Sequence, residues 1–344
     1  MSKPMARVLS SLFAVIATVL APSVNAQDTI KLKLTHPLPA THYLYTEAMK
    51  KFTDAVTERT KGRVVFEVYP ASQLGSDHFT ALKSGLADVA MVIPSYYADK
   101  LPMSAVADLP TLYSSSCEAT SKFTELARPG GILQKLEYGP RGIRPFLFNT
   151  LPAYSLSTAS KKIETLNDVA GQRIWANGSA AGNIIRSLGG VPVRMIASEL
   201  YDSISRGTID GIYQSYQSVT QYKLETKVRH TVQGVQLGGG SWMLAMNDKS
   251  WDALPQSVRD VFNSVGAEVQ YSVCKFMDTE ESKNLKQVLA AGVTLTTLSP
   301  EQVKLWNAKL NKVTEDWATE MDASGRHGTE LLNAMRKASG TNTK

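Results

Sequence analysis

Residues 166–216 read LNDVAGQRIWANGSAAGNIIRSLGGVPVRMIASELYDSISRGTIDGIYQSY, and their punctuation decides the fold class. A glycine turn at Gly171 precedes a short strand carrying Trp175, and an Asn/Gly loop then opens a helix. A second strand and helix follow before the Thr208-Ile209-Asp210-Gly211 turn. Short strands alternating with helices at this density predict an α/β domain.

The flanking sequence extends that pattern in both directions. Toward the N-terminus, Ile30, Leu32 and Leu34 alternate with Lys31 and Lys33, the period of a strand with one buried face. From Tyr45 to Thr60, Ala48, Met49, Phe52, Ala55 and Val56 keep a helical spacing that Gly62 ends, and Arg63 to Tyr69 reads as a second strand. Ser76 or Asp77 opens a helix with Phe79, Leu82 and Leu86 as its inner face. The run Val89 to Ile93 fits a strand buried on both faces, and the Tyr96-Tyr97 pair lies just beyond it, where open α/β sheets bind ligands. Leu101 to Thr111 is interrupted by proline and is expected to wrap the surface; Asn149 to Pro152 is a first crossing between domains.

Toward the C-terminus, Val228 to Val235 reads as a strand, Gly238-Gly239-Gly240 as a hinge or bend, and Ser241 to Met246 as an apolar strand carrying Trp242. Pro255 to Ala291 predicts one helix of roughly 55 Å, long enough to run along two domains. Val293 to Leu298 is a late strand, Ser299-Pro300-Glu301 starts a final helix with Leu305, Trp306 and Leu310, and the tail beyond Leu332 reads as loosely ordered.

Composition narrows the function classes. Lys3 and Arg7 precede a 13-residue apolar run, Val8 to Leu20, and Val24-Asn25-Ala26. This is a secretory signal peptide cut after Ala26, too short to span a bilayer. Without Lys3 and Arg7, the 37 basic residues become 35 against 31 acidic ones, a mild +4, and their scatter argues against nucleic acid. Cys117 and Cys274 leave a disulfide and two buried free thiols equally open, and neither has CxxC spacing. His36, His42, His78, His230 and His327 form no HExxH or HxH pair, and no GxSxG elbow occurs. Catalysis, metal and cofactor chemistry therefore have no specific support, whereas a cleft that closes around a small solute fits the pattern.

An ordered set of short motifs carries a resemblance. It comprises Gly62-Arg63-Val64, Pro70-Ala71-Ser72-Gln73-Leu74-Gly75, Leu86-Ala87-Asp88, Leu166 to Gly171, Gly189-Gly190-Val191-Pro192-Val193, Ser198-Glu199-Leu200-Tyr201 and Gly207 to Gly211. Across nearly the whole mature chain this set resembles the DctP-type solute-binding proteins of tripartite ATP-independent periplasmic (TRAP) transporters. The resemblance implies a two-lobed periplasmic-binding-protein-like fold with a ligand cleft between the lobes and a long helix spanning both. It also implies a monomeric periplasmic receptor that delivers a small solute to membrane permease subunits. The expected lobes are 27–152 plus 240–279 and 153–239 plus 280–344.

Members of that family typically read Gly-x-Lys-Ile-Arg where this chain reads Gly171-Gln172-Arg173-Ile174-Trp175. The resemblance assigns that arginine to the substrate carboxylate, and Trp175 stands in its place. A second arginine of some members, near Ser155, is also missing. With Trp175, Tyr213, Tyr154, Tyr96 and Trp242 converging on the cleft, beside Gln214 and His36, the leading expectation is a small amine such as ethanolamine or choline. Ring faces hold such a cation for about 0.5 to 2 kcal/mol per contact. The alternative is a small organic acid held by Arg173 or another basic residue; an exported enzyme is the third reading.

Overall fold

The computed structural model describes residues 29–195 and 199–338, so the expected signal peptide lies outside the described residues. The chain builds its first lobe from β1 (Ile30–Thr35), α1 (Lys50–Arg59), β2 (Val64–Tyr69), α2 (His78–Ser84), β3 (Val89–Val92), α3 (Ser116–Ala127) and β4 (Ile143–Thr150). The second lobe follows with β5 (Ser155–Thr158), α4 (Leu166–Val169), β6 (Arg173–Trp175), α5 (Ser179–Ser187), β7 (Val191–Val193), α6 (Leu200–Ser205), β8 (Gly211–Gln214), α7 (Tyr216–Gln221) and β9 (His230–Gln233). The chain then returns through β10 (Ser241–Asn247), α8 (Asp248–Ala253), α9 (Gln256–Ala290), β11 (Thr294–Thr297), α10 (Pro300–Ala323) and α11 (Gly328–Lys337).

Two sheets result, in the orders β2-β1-β3-β10-β4 and β11-β9-β5-β8-β6-β7. In the first, β1 pairs with β2 and β3 in parallel while β10 runs antiparallel between β3 and β4. In the second, β6 pairs with β7 and β8 in parallel, and β5 runs antiparallel to β8. All four residues of β3 are buried, as its unbroken apolar run predicts. Asp77 is the N-cap of α2, accepting from the Thr80 N–H, but Leu86 lies past the left-handed Gly85 and is exposed rather than inward-facing.

The lobes are joined by more than loops. The two strand crossings bond to each other, since the N–H of Leu151 donates to Gly240 O and that of Tyr154 to Gly238 O, both at 2.7 Å. Helix α9, about 52 Å long at 1.5 Å per residue, starts after the N-cap Pro255 as expected. It packs Val258, Phe262, Val265, Val269 and Met277 into the first core and Val288 into the second. Two carboxylates one turn apart on α9 cap a helix from each lobe. Asp278 accepts from the N–H groups of Ser116 and Cys117 at 2.7 and 3.2 Å, and Glu281 from those of Tyr216 and Gln217 at 2.8 and 3.1 Å. Such contacts satisfy the open N–H groups that begin α3 and α7.

Further expectations change. Leu101 to Thr111 does not wrap the surface: it holds a 3-10 turn, Met103–Asp108, with Leu101, Val106, Ala107 and Leu109 buried. The tail is ordered through α11, whose Leu331, Leu332 and Met335 pack into the first core. Helix α10 crosses between lobes as well, placing Trp306 and Leu310 in the second core and Trp317 in the first. Cys117 and Cys274 are bonded, with Cα atoms 4.8 Å apart, tying α3 to α9.

Candidate ligand cleft

A cavity of about 670 Å³ lies between the lobes, at the carboxyl ends of the parallel strands in both sheets. That volume and position are those of a small-molecule site. The first lobe contributes His42, Tyr43, Pro94–Tyr96, Asp108, Ser241 and Trp242. The second contributes Tyr154, Trp175, Asn177–Ala181, Arg194, Met195, Tyr213, Gln214 and Tyr222.

Six of the eight sequence-predicted residues meet here: Trp175, Tyr213, Trp242, Tyr96, Tyr154 and Gln214 all line the cavity. Their roles differ. Tyr96 is 60% exposed and stands at the rim, whereas its neighbour Tyr97 turns into the core, where its hydroxyl accepts from the Phe79 N–H. Tyr154 and Tyr213 pack edge to face at 5.0 Å, and Tyr213 donates its hydroxyl to Leu237 O at 2.6 Å. Trp175 is buried against Ile212 and Tyr216, and its indole N–H donates to Met195 O at 3.1 Å. The tryptophan therefore offers a ring to the cavity, and its polar edge holds the segment after β7.

The other two stand elsewhere. His36 is fully buried under Tyr45, stacked at 4.9 Å. Burial first, then His78 and His42, lowers its pKa to about 4. It follows β1 in phase with the buried Leu32 and Leu34, which turns it into the first lobe. Arg173 cannot serve as the cavity's base, because its guanidinium is held by Asp210 at 2.9 and 2.7 Å and by Gly207 O at 2.6 Å. As on any strand, residues two apart share a face, but this one is bound to the β8 turn outside the cavity.

Three lining groups escaped the sequence reading. Arg194 follows β7 directly, and β7 pairs with β6 so that Val193 lies opposite Trp175. Among the described residues lining the cavity it is the one arginine or lysine, and it has no ion pair with any described residue. Asp108 ends the buried 3-10 turn and accepts from Ser241 Oγ at 2.8 Å. Burial outweighs that bond and raises its pKa to about 7. His42 takes the place expected of His36, accepts from the Leu44 N–H at 3.1 Å, and is kept neutral by burial, its pKa lowered to about 4. The position of Arg194, one step beyond a parallel strand, was the available signal.

The lobes touch across the cleft at Gly178, the N-cap of α5, where φ is +91° and an added Cβ would sit 3.2 Å from the Ser95 Cβ. Any side chain there meets both backbone strain and the opposite lobe.

A family model, DctP, the bacterial extracellular solute-binding proteins of family 7, matches residues 34–320. The chain belongs to the DctP family. Among curated relatives, a solute-binding protein of Albidiferax ferrireducens is 24% identical, over 87% of this chain and 90% of its own. The C4-dicarboxylate-binding periplasmic protein DctP of Rhodobacter capsulatus is 27% identical over 96% and 98%. Among solved structures, a TRAP solute-binding protein of Rhodoferax ferrireducens with copurified benzoate superposes with a TM-score of 0.79 at 23% identity, covering 90% of this chain and 97% of that one. A TRAP periplasmic solute-binding protein of Bordetella bronchiseptica with bound mandelate gives 0.80 at 21% identity, covering 90% and 98%. The two-lobed fold is thus that of TRAP solute-binding proteins. DctP-family proteins are periplasmic receptors that deliver small solutes to permease subunits, and the homologues here are receptors rather than enzymes.

Proposed function

We propose that this DctP-family receptor captures a small aromatic carboxylic acid and hands it to a TRAP permease. The observation that carries this reading is Arg194, exposed, without an ion pair among the described residues, and part of the lining of a cavity that Trp175, Tyr154, Tyr213 and Trp242 also line. Guanidinium and carboxylate form a bidentate, charge-assisted pair, and the rings supply stacking surface for an aryl group. Asn177 and the first N–H groups of α5 lie in the same wall and favour an anion. The family's arginine is thus replaced in function from the adjacent strand: Trp175 occupies its place on β6, and Arg194 supplies the charge from the end of β7.

Neighbours with benzoate and mandelate support an acid of this class. The amine reading is weaker on the chain's own chemistry. Asp108, the one carboxyl lining it among the described residues, has its pKa raised by burial to about 7 and is an incomplete counter-ion, and Arg194 would repel a cation. We also assign cleavage after Ala26, a monomeric receptor, and lobes of 27–152 plus 240–279 and 153–239 plus 280–344, with the end of α10 and α11 packed on the first.

A thermal-shift screen of the mature protein tests the reading, because a ligand of the folded state raises stability by RT ln(1 + [L]/Kd). Benzoate, phenylacetate and mandelate are expected to raise Tm, and ethanolamine, choline and benzylamine are not. A shift with amines alone would refute it.

A further inference from the structure

The cavity has a second polar end. Asp108 belongs to the first lobe and is 4% exposed, yet it lines the cavity and takes its hydrogen bonds from Ser241 alone, through Oγ and the backbone N–H. Two buried polar groups near it lack partners among the described residues. The hydroxyl of Tyr113 lies behind Gly239, where a Cβ would come within 2.7 Å of it, and it has no hydrogen-bond partner among the described residues. Trp242, the neighbour of Ser241 on β10, likewise has an unpartnered indole N–H. Arg194 stands on the opposite lobe. A carboxylate oxygen keeps acceptor capacity beyond a single hydrogen bond, and a buried polar group left unmatched is costly.

We propose that the solute is a hydroxylated aromatic acid whose ring hydroxyl donates to Asp108 while its carboxylate pairs with Arg194. This rests on the aryl-carboxylate reading above and narrows it. A ligand held at one end by each lobe bridges the cleft, so its binding energy favours the closed state directly. A plain aryl acid fills the same space and leaves Asp108 with Ser241 as its partner among the described residues. Sites built to hydrogen-bond a hydroxyl discriminate strongly against analogues that lack it.

The test is calorimetric titration of the mature protein with benzoate, 3-hydroxybenzoate, 4-hydroxybenzoate and benzylamine, repeated on Asp108→Asn, whose amide oxygen still accepts from Ser241. At least one hydroxybenzoate is expected to bind wild type at least about tenfold tighter than benzoate, with that ratio falling below about threefold in Asp108→Asn. Benzoate and both hydroxybenzoates binding wild type equally would overturn the Asp108 proposal and leave the carboxylate reading standing. So would a preference that survives in Asp108→Asn. Binding of benzylamine and none of the acids would overturn both. The wild-type ratio decides the matter even if the variant does not fold.

Discussion

The indole N–H of Trp175 donates to the carbonyl oxygen of Met195 at 3.1 Å, and Asn177 Nδ2 approaches the same oxygen at 3.4 Å. Trp175 at the end of β6 and Asn177 just past it thereby hold the segment that follows β7, whose first residue is Arg194. A tryptophan in the place of the family's arginine is then part of the arrangement that positions a substitute. Trp175→Phe keeps a ring and loses the bond, so acid affinity should fall about two- to tenfold with little change in Tm, the range of one neutral hydrogen bond. Titration calorimetry with benzoate checks it; unchanged affinity would reduce Trp175 to packing.

Gly178 should tolerate no side chain without a penalty on closure. Gly178→Ala combines a φ of +91° with a contact to Ser95 in the other lobe. Strain of this kind costs about 1 kcal/mol or more, and acid affinity should drop further because the closed cleft is where the contact forms. Ser95→Gly in the same protein is expected to recover part of the affinity and none of the backbone strain, which affinity and Tm measured together would separate.

Much of the scaffold was legible because it depends on local periodicity. The alternation of β1, the unbroken apolar run of β3 and the stripe of α9 each report burial directly. Short or irregular elements were not. Met103–Asp108 is a 3-10 turn flanked by Pro102 and Pro110, which read as surface, so nothing in the local pattern marks Asp108 as buried. Helix α11 follows a turn through Gly325 and His327 that reads as a fraying end. The aromatic wall was found because its residues sit at strand ends. The charge was missed because it depends on which strand lies beside β6, a matter of sheet order. Arg173 was likewise read without its partner, since Asp210 is 37 positions away in sequence and adjacent in space.

The Cys117–Cys274 bond closes a loop of 157 positions and joins α3 to α9. Replacing both cysteines by serine should lower stability by about 2 to 5 kcal/mol, seen as a lower Tm with an unchanged benzoate affinity, since neither residue lines the cavity. A Tm equal to wild type would show that packing alone secures α3.

Glu281 links the second lobe to α9, and burial raises its pKa from 4.5 to about 7 despite two backbone donors. A raised folded-state value means that the folded protein binds the proton more tightly. Its contribution is fully present below about pH 4.5 and is lost as pH rises through about 7. Glu281→Gln lacks that loss, so its Tm relative to wild type should climb between pH 5 and about 8. A difference that does not vary with pH would contradict the assignment. Asp108 contributes in the same sense, while His36 and His42, lowered to about 4, act oppositely as pH rises through about 4 to 6.5. The comparison must therefore be between variant and wild type.

If Arg194 holds the acid, benzoate titrated calorimetrically into wild type binds saturably, and Arg194→Ala loses roughly 10- to 150-fold in affinity, the range of a charge-assisted pair, with both proteins equally folded. Equal affinity in the two would remove Arg194 from the site.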